Sequence, residues 1–172
     1  MSWRSLTLLF LVLATPAQAD LMWQGVRLDL EAGAFCLIPP DGLQAAPQTL
    51  AGSIDTYDRP YPLYLKDDQV SAFADIGIGV IVRLYEFVPN EPITVKVQVP
   101  DRALPDVWTI SVGNDGMFWF GQSPAATEHL RFGTYRFTAL RGDKELLRYD
   151  IRVREPSVAE AAQSPCSVAV VS

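Results

Sequence analysis

The amino-acid sequence predicts an all-β protein, a single antiparallel β-sandwich of immunoglobulin-like character, and three observations carry that expectation. Apolar and polar residues alternate at period two in one segment after another. Clusters of Gly, Pro, Asn and Asp separate those segments. No stretch of the interior sustains a helical period, which leaves strands as the building units.

The N-terminus runs Met-Ser-Trp-Arg, then an apolar stretch from Ser5 to Ala14, then small residues at Ala17 and Ala19. One positive charge, an apolar run too short to span a bilayer and an Ala-x-Ala ending make residues 1–19 a secretory signal peptide cleaved after Ala19. No cysteine follows that site, so the expected product is periplasmic or secreted, without a retained membrane anchor. Residues 20–155 then form the sandwich, and residues 156–172 form a C-terminal tail.

Within the sandwich, Leu21 to Leu30 reads as a first strand, broken at Glu31-Ala32-Gly33 and resumed at Phe35 to Ile38 before Pro39-Pro40 ends pairing. Leu43 to Arg59 reads as a long connection with one short edge strand between Leu50 and Tyr57. In Val70 to Tyr85, the residues Ile78, Val80, Val82 and Leu84 share one face of a central strand. The Gly77-x-Gly79 pair inside it lacks the third glycine and the helix start of a dinucleotide fingerprint, so it predicts a bulge or a close backbone approach instead.

Ile93 to Val99 has the cleanest alternation and turns Thr94, Lys96 and Gln98 to solvent. Val107 to Val112 is expected to pair with Met117 to Gly121 as a hairpin through Gly113-Asn114-Asp115-Gly116. Phe132 to Val153 makes a second hairpin, with Tyr135, Phe137 and Ala139 on one face and Gly142 in the reversal. In the tail, Ser157 and Glu160 have the spacing of a capping box for one helical turn.

Cys36 and Cys166 are the only two cysteines, and an even count in an oxidising compartment predicts one disulfide pinning the tail to the body. The formal charge of −6 argues against nucleic acid and anionic membrane surfaces, both of which need a basic patch.

The order of several segments resembles an uncharacterised bacterial family of exported proteins, catalogued as a domain of unknown function. The resemblance runs from Leu50 to Val153. It rests on the Gly-rich strand Asp75 to Arg83, the Ile93 to Val99 strand ending at Pro100, Trp108, Gly133-Thr134-Tyr135-Arg136-Phe137 and Ile151-Arg152-Val153. Where that family often opens its last hairpin with Pro-Gly-Xaa-Trp, this chain has Phe132-Gly133-Thr134-Tyr135. The resemblance implies a sandwich domain outside the cytoplasm and transfers no catalytic residue.

Candidate chemistry is sparse. His129 is the single histidine, and neither a Gly-x-Ser-x-Gly elbow nor an unpaired cysteine accompanies it. Asp67-Asp68, with Asp55 or Asp58, lacks the alternating oxygen ligands of a calcium loop and reads as a solvated turn. No metal or cofactor is expected. Arg141-Gly142-Asp143 spells an adhesion tripeptide but is explained by turn chemistry.

The remaining candidate is Met117-Phe118-Trp119-Phe120. Alternate residues of a strand point to opposite faces, so either the Leu43 to Arg59 connection or the C-terminal tail covers the second face, or whichever of Phe118, Trp119 and Phe120 lies uncovered makes a binding surface or an edge for strand addition. The function expected is therefore a non-enzymatic binding or accessory module for an envelope protein or glycan. The alternative is an envelope polysaccharide or peptide hydrolase using unidentified carboxylates. The sequence carries no signal for oligomeric state.

Overall fold

The computed structural model describes residues 21–23, 25–124, 129–161 and 165–166. The segment expected to be a signal peptide, residues 1–19, lies outside these residues, as does most of the tail beyond the capped turn. Two five-stranded sheets and a separate two-stranded ribbon make up the structure.

The first sheet holds β1 (Leu21–Trp23), β2 (Val26–Cys36), β7 (Ile76–Leu84) and β10 (Met117–Gln122) in that order, and β5 (Leu63–Leu65) also pairs with β2. The second holds β6 (Gln69–Ser71), β12 (Lys144–Arg154), β11 (Gly133–Arg141), β8 (Pro92–Gln98) and β9 (Asp106–Ser111). The ribbon pairs β3 (Gly42–Ala45) with β4 (Ser53–Thr56). Pairing is antiparallel except between β6 and β12.

The period-two pattern sets which side chains meet between the sheets. Leu28, Ala34, Ile78, Val80, Val82 and Phe118 point inward from one sheet; Ile93, Val95, Val97, Phe137 and Ile151 point inward from the other, all of them buried. The Phe120 ring lies 5.8 Å from that of Phe137 and 6.3 Å from that of Trp108, so aromatic contacts bridge the layers.

The strand order gives the sandwich its immunoglobulin-like character. In the lettering of that fold, β2, β7 and β10 stand at A, B and E, while β12, β11, β8 and β9 stand at G, F, C and C′. Near the start of β11, the Tyr135 hydroxyl accepts the Arg131 N–H at 2.8 Å. This bond to backbone four residues upstream is the corner-closing tyrosine of the same fold. Burial raises the pKa of that phenol, which stays a neutral hydrogen-bonding group.

The Phe132 to Val153 hairpin forms as expected, with Arg141 opposite Lys144 and Gly142 at φ 58°. A bulge after Ala139 lets both Leu146 and Leu147 reach the core. The capped turn forms too: Ser157 N–H donates to Glu160 Oε2 at 2.8 Å, and Glu160 N–H donates to Ser157 Oγ at 3.3 Å, ahead of α1 (Val158–Ala161). Cys36 and Cys166 are joined, closing a sequence separation of 130 residues.

Four expectations are corrected. The segments Val107 to Val112 and Met117 to Gly121 do not pair with each other: β9 joins β8, and β10 joins β7 across the sandwich. Facing each other across the core lets Trp108 and Phe120 bury against one another, which side-by-side pairing in one sheet would not. Glu31-Ala32-Gly33 does not break a strand, because β2 stays continuous along β7. The first strand is instead divided near Gly25, at φ 81°. The Leu43 to Arg59 connection contains the β3–β4 ribbon, not a lone edge strand.

Glycine placement explains why β2 persists through its apparent breaker. Gly33, Gly79 and Gly121 are register partners across three adjacent strands. Together they leave a shallow trough on the outer face of the first sheet. Tyr61 fills it, stacked on Phe35 at 3.8 Å, with its hydroxyl donating to the Phe120 carbonyl at 2.7 Å. A Cβ on Gly79 would collide with that hydroxyl, and one on Gly33 with the Leu65 carbonyl. The Gly77-x-Gly79 pair is thus a site of close packing, with the Phe35 ring lying over Gly77.

Candidate functional site

A cleft of about 750 Å³ lies on the side of the sandwich where β9 and β10 end their sheets. Its volume falls within the usual range for ligand sites, about 300–1,000 Å³. Core residues form the floor, among them Phe118, Phe120, Trp108 and Tyr135. The walls are the edge of β10 from Trp119 to Gln122 and the ribbon from Ser53 to Tyr57.

Local sequence accounts for the opening. In an A-B-E-D sheet a further strand would flank the E position. Here β9 passes to β10 through the tight Gly113–Gly116 turn, closed by Gly113 N–H donating to Met117 C=O at 2.7 Å, and β10 is left as a sheet edge. The β9 edge is treated differently. Val107 N–H donates to Gln48 C=O at 3.2 Å, and Gln44 Nε2 donates to Thr109 C=O at 3.3 Å, so the ribbon segment covers it.

One ion pair is set into the cleft wall. Arg102 Nη1 and Nη2 donate to Asp106 Oδ2 and Oδ1 at 2.6 and 3.0 Å, and Leu50 N–H donates to Oδ1 at 2.8 Å. The fork geometry fits a bidentate guanidinium–carboxylate contact, and the hydrogen bonds to Asp106 raise the Arg102 pKa further. Both oxygens of Asp106 are therefore engaged by structure. Asp55, also in the lining, raises the pKa of neighbouring Tyr57, after the larger effect of that ring's partial burial.

The sequence-predicted residues divide. Phe118 and Phe120 are 1% and 3% exposed, so their face is the inter-sheet core, covered by the opposite sheet. Trp119 lies half-buried on the outer face with Met117, packed beside Tyr61, Phe35 and Ile81. All three aromatic residues reach the cleft, Phe118 and Phe120 from below and Trp119 at its wall.

His129 lies at one end of the cleft, edge-on to Phe132 at 6.4 Å. No hydrogen bond links it to a serine or carboxylate among the described residues. Arg141 of the tripeptide is tied to the body: Nη2 donates to the Glu86 carbonyl at 3.2 Å, and Nε lies 3.1 Å from Glu91 Oε1. Asp67 accepts Gln69 N–H at 3.1 Å as a turn residue. Among the described residues no group of three or more His, Cys, Asp or Glu could hold a metal ion.

The ribbon wall and the Arg102–Asp106 pair were not singled out from sequence. The only signal for the pair was opposite charge at a spacing of four, from Arg102 in the loop after Pro100 to Asp106 just beyond Pro105. The ribbon's residues look like connection because few are buried: Gln44 and Ser53–Thr56 line the cleft, and Leu43 is 73% exposed.

These features define an immunoglobulin-like β-sandwich with a cleft at its open side. No protein-family model matches the chain, and no curated protein matches it. Among solved structures it is similar to the crystal structure of an immunoglobulin-like protein from Pseudomonas aeruginosa, at 18% sequence identity and a TM-score of 0.48. That alignment covers 80% of this chain and 99% of the other.

Proposed function

We propose that the protein is a non-enzymatic binding or accessory module of the cell envelope, periplasmic or secreted, that engages an envelope protein or glycan in the cleft beside β10. The cleft carries the reading: a cavity of about 750 Å³ floored by aromatic residues and opening on an unpaired strand edge. Such a surface offers apolar area for affinity and a few polar groups for orientation. The Cys36–Cys166 disulfide and the signal-like N-terminus support an oxidising location. Membership of the uncharacterised exported family resembled in sequence belongs to the same proposal.

The hydrolase alternative has less support. It requires two facing carboxylates, and of the cleft's Asp55 and Asp106, the second has both oxygens committed to Arg102 and Leu50. A photo-crosslinking residue placed at Gln122, on the cleft wall, tests the binding reading in intact cells of the native host. A discrete adduct is expected from that position and none from Arg148 on the outer face of β12. Equal adducts from both positions, or none from either, would refute it.

A further inference from the structure

We infer that the free edge of β10 accepts an extended polypeptide segment as an added antiparallel strand; this rests on the binding-module reading above and names its ligand. Two hydrogen bonds fix the phase of β10. Leu84 N–H donates to Gly116 C=O at 2.9 Å, so Gly116 faces β7, while Met117 C=O faces away to receive Gly113 N–H. Alternation then turns Phe118, Phe120 and Gln122 toward Val82, Val80 and Ile78 of β7. Trp119 and Gly121 turn their N–H and C=O groups away from β7.

Those four backbone groups find no partner among the described residues, and both residues line the cleft. Two donor–acceptor sets on alternate residues, about 6.8 Å apart along a strand, match the repeat of an extended backbone. Saccharide hydroxyls have no such fixed polarity. The edge of β9 offers no equivalent, since Gln48 and Gln44 already occupy it. Every pairing within the β10 sheet is antiparallel, which sets the expected direction.

The apolar floor specifies the side chains. Residues of the added strand lying opposite Phe118 and Phe120 would point down beside Trp108 and Leu130. The Arg102–Asp106 pair in the cleft wall is already neutralised, so an inward charge would be buried against this apolar floor with no counter-ion from that pair. The segment therefore carries apolar residues at every second position, with polar residues between them on the side of Trp119. Strand addition of this kind draws affinity from main-chain hydrogen bonds and selectivity from alternate side chains.

The test uses the mature chain and a capped peptide, Thr-Val-Thr-Val-Thr-Val-Thr, with amide exchange read residue by residue. Saturating peptide should slow exchange at Trp119 and Gly121 by about tenfold or more. With valines inward, the threonine N–H groups face β10. N-methylation of the threonines should weaken binding by about tenfold or more, N-methylation of the valines by less than about threefold, and Lys in place of Val should abolish it. Unchanged exchange at Trp119 and Gly121, or equal loss from both methylation patterns, overturns the inference. Chitotetraose that shifts the Trp119 and Tyr57 side-chain signals without protecting those amides also overturns it. The binding-module reading would then stand, because it fails only with the crosslinking result.

Discussion

The two sides of the sandwich end their sheets in opposite ways. Along β2, β6 and β12, the described part of the tail is tied to the body. The tail turn docks through Glu160, whose carboxylate accepts hydrogen bonds from Arg154 Nη2 at 2.7 Å and Ser71 Oγ at 3.0 Å. A few residues later the disulfide to Cys36 closes the same side. Along β9 and β10, the chain instead spends a two-stranded ribbon on covering β9 and leaves β10 open over an apolar floor. Sheet edges invite pairing, and native proteins ordinarily cover or blunt them. A chain that seals one side with covalent and ionic devices while leaving a cleft on the other has the arrangement of a rigid support with one receptive edge.

The largest effect that would sharpen this contrast comes from the cleft floor. Phe120→Ala removes a ring shared by floor and core, and should lower unfolding free energy by about 3–5 kcal/mol in a denaturant titration. Trp119→Ala, one residue along, should cost about 1–2 kcal/mol, because the indole is only partly buried over Tyr61 and Phe35. A cost for Trp119→Ala as large as that for Phe120→Ala would mean the wall is core and the cleft is not an independent surface.

The next effect belongs to the sealed side. Replacing Cys36 and Cys166 together by serine should cost on the order of 2–5 kcal/mol, since the bond closes a long loop in the unfolded chain. Amide exchange at Trp119 and Gly121 should be unchanged at pH 7, because β7 separates β2 from β10 and both amides point away from β7. If the pair of serines also altered exchange at those two amides, the two sides would be coupled and the contrast would fail.

Legibility in the sequence follows the same division. The sealed side was readable because its signals are local. Period-two alternation with Gly142 gives the β11–β12 hairpin, Ser157 with Glu160 gives the cap, and two cysteines leave one pairing. The open side depends on contacts distant in sequence. Nothing within Val107 to Gly121 tells whether its two strands pair with each other or lie in opposing sheets, since the alternation within each strand is the same in either case. The glycine row Gly33, Gly79, Gly121 is spread over three strands, so Gly33 alone looked like a breaker. Phe118 and Phe120 were legible as an apolar face, but whether that face met solvent or the other sheet was set by topology.

The smallest effect is a pH dependence confined to the sealed side. Arg154, together with hydrogen bonds from the side chain and backbone of Ser157 and from Ser71, holds the Glu160 carboxyl well below its ordinary range. A group with a depressed folded-state pKa adds stability that is fully present above its unfolded value, near 4.5, and is lost as pH falls through the folded value. Acidification should therefore release the tail turn first, seen as faster exchange of the Ala161 amide, which donates to Ser157 C=O at 2.9 Å. Among the described residues, none of Val158–Ala161 is buried, so loosening this turn exposes no core residue. Exchange at Phe118 and Phe120, bonded into the β7 ladder, should show no matching acceleration over the same pH range. Glu160→Gln should remove the pH dependence at Ala161 and leave its exchange fast throughout, because the neutral amide cannot hold Arg154. An Ala161 amide that stays protected to the pH at which the ladder itself opens would show that the tail is held by the disulfide alone.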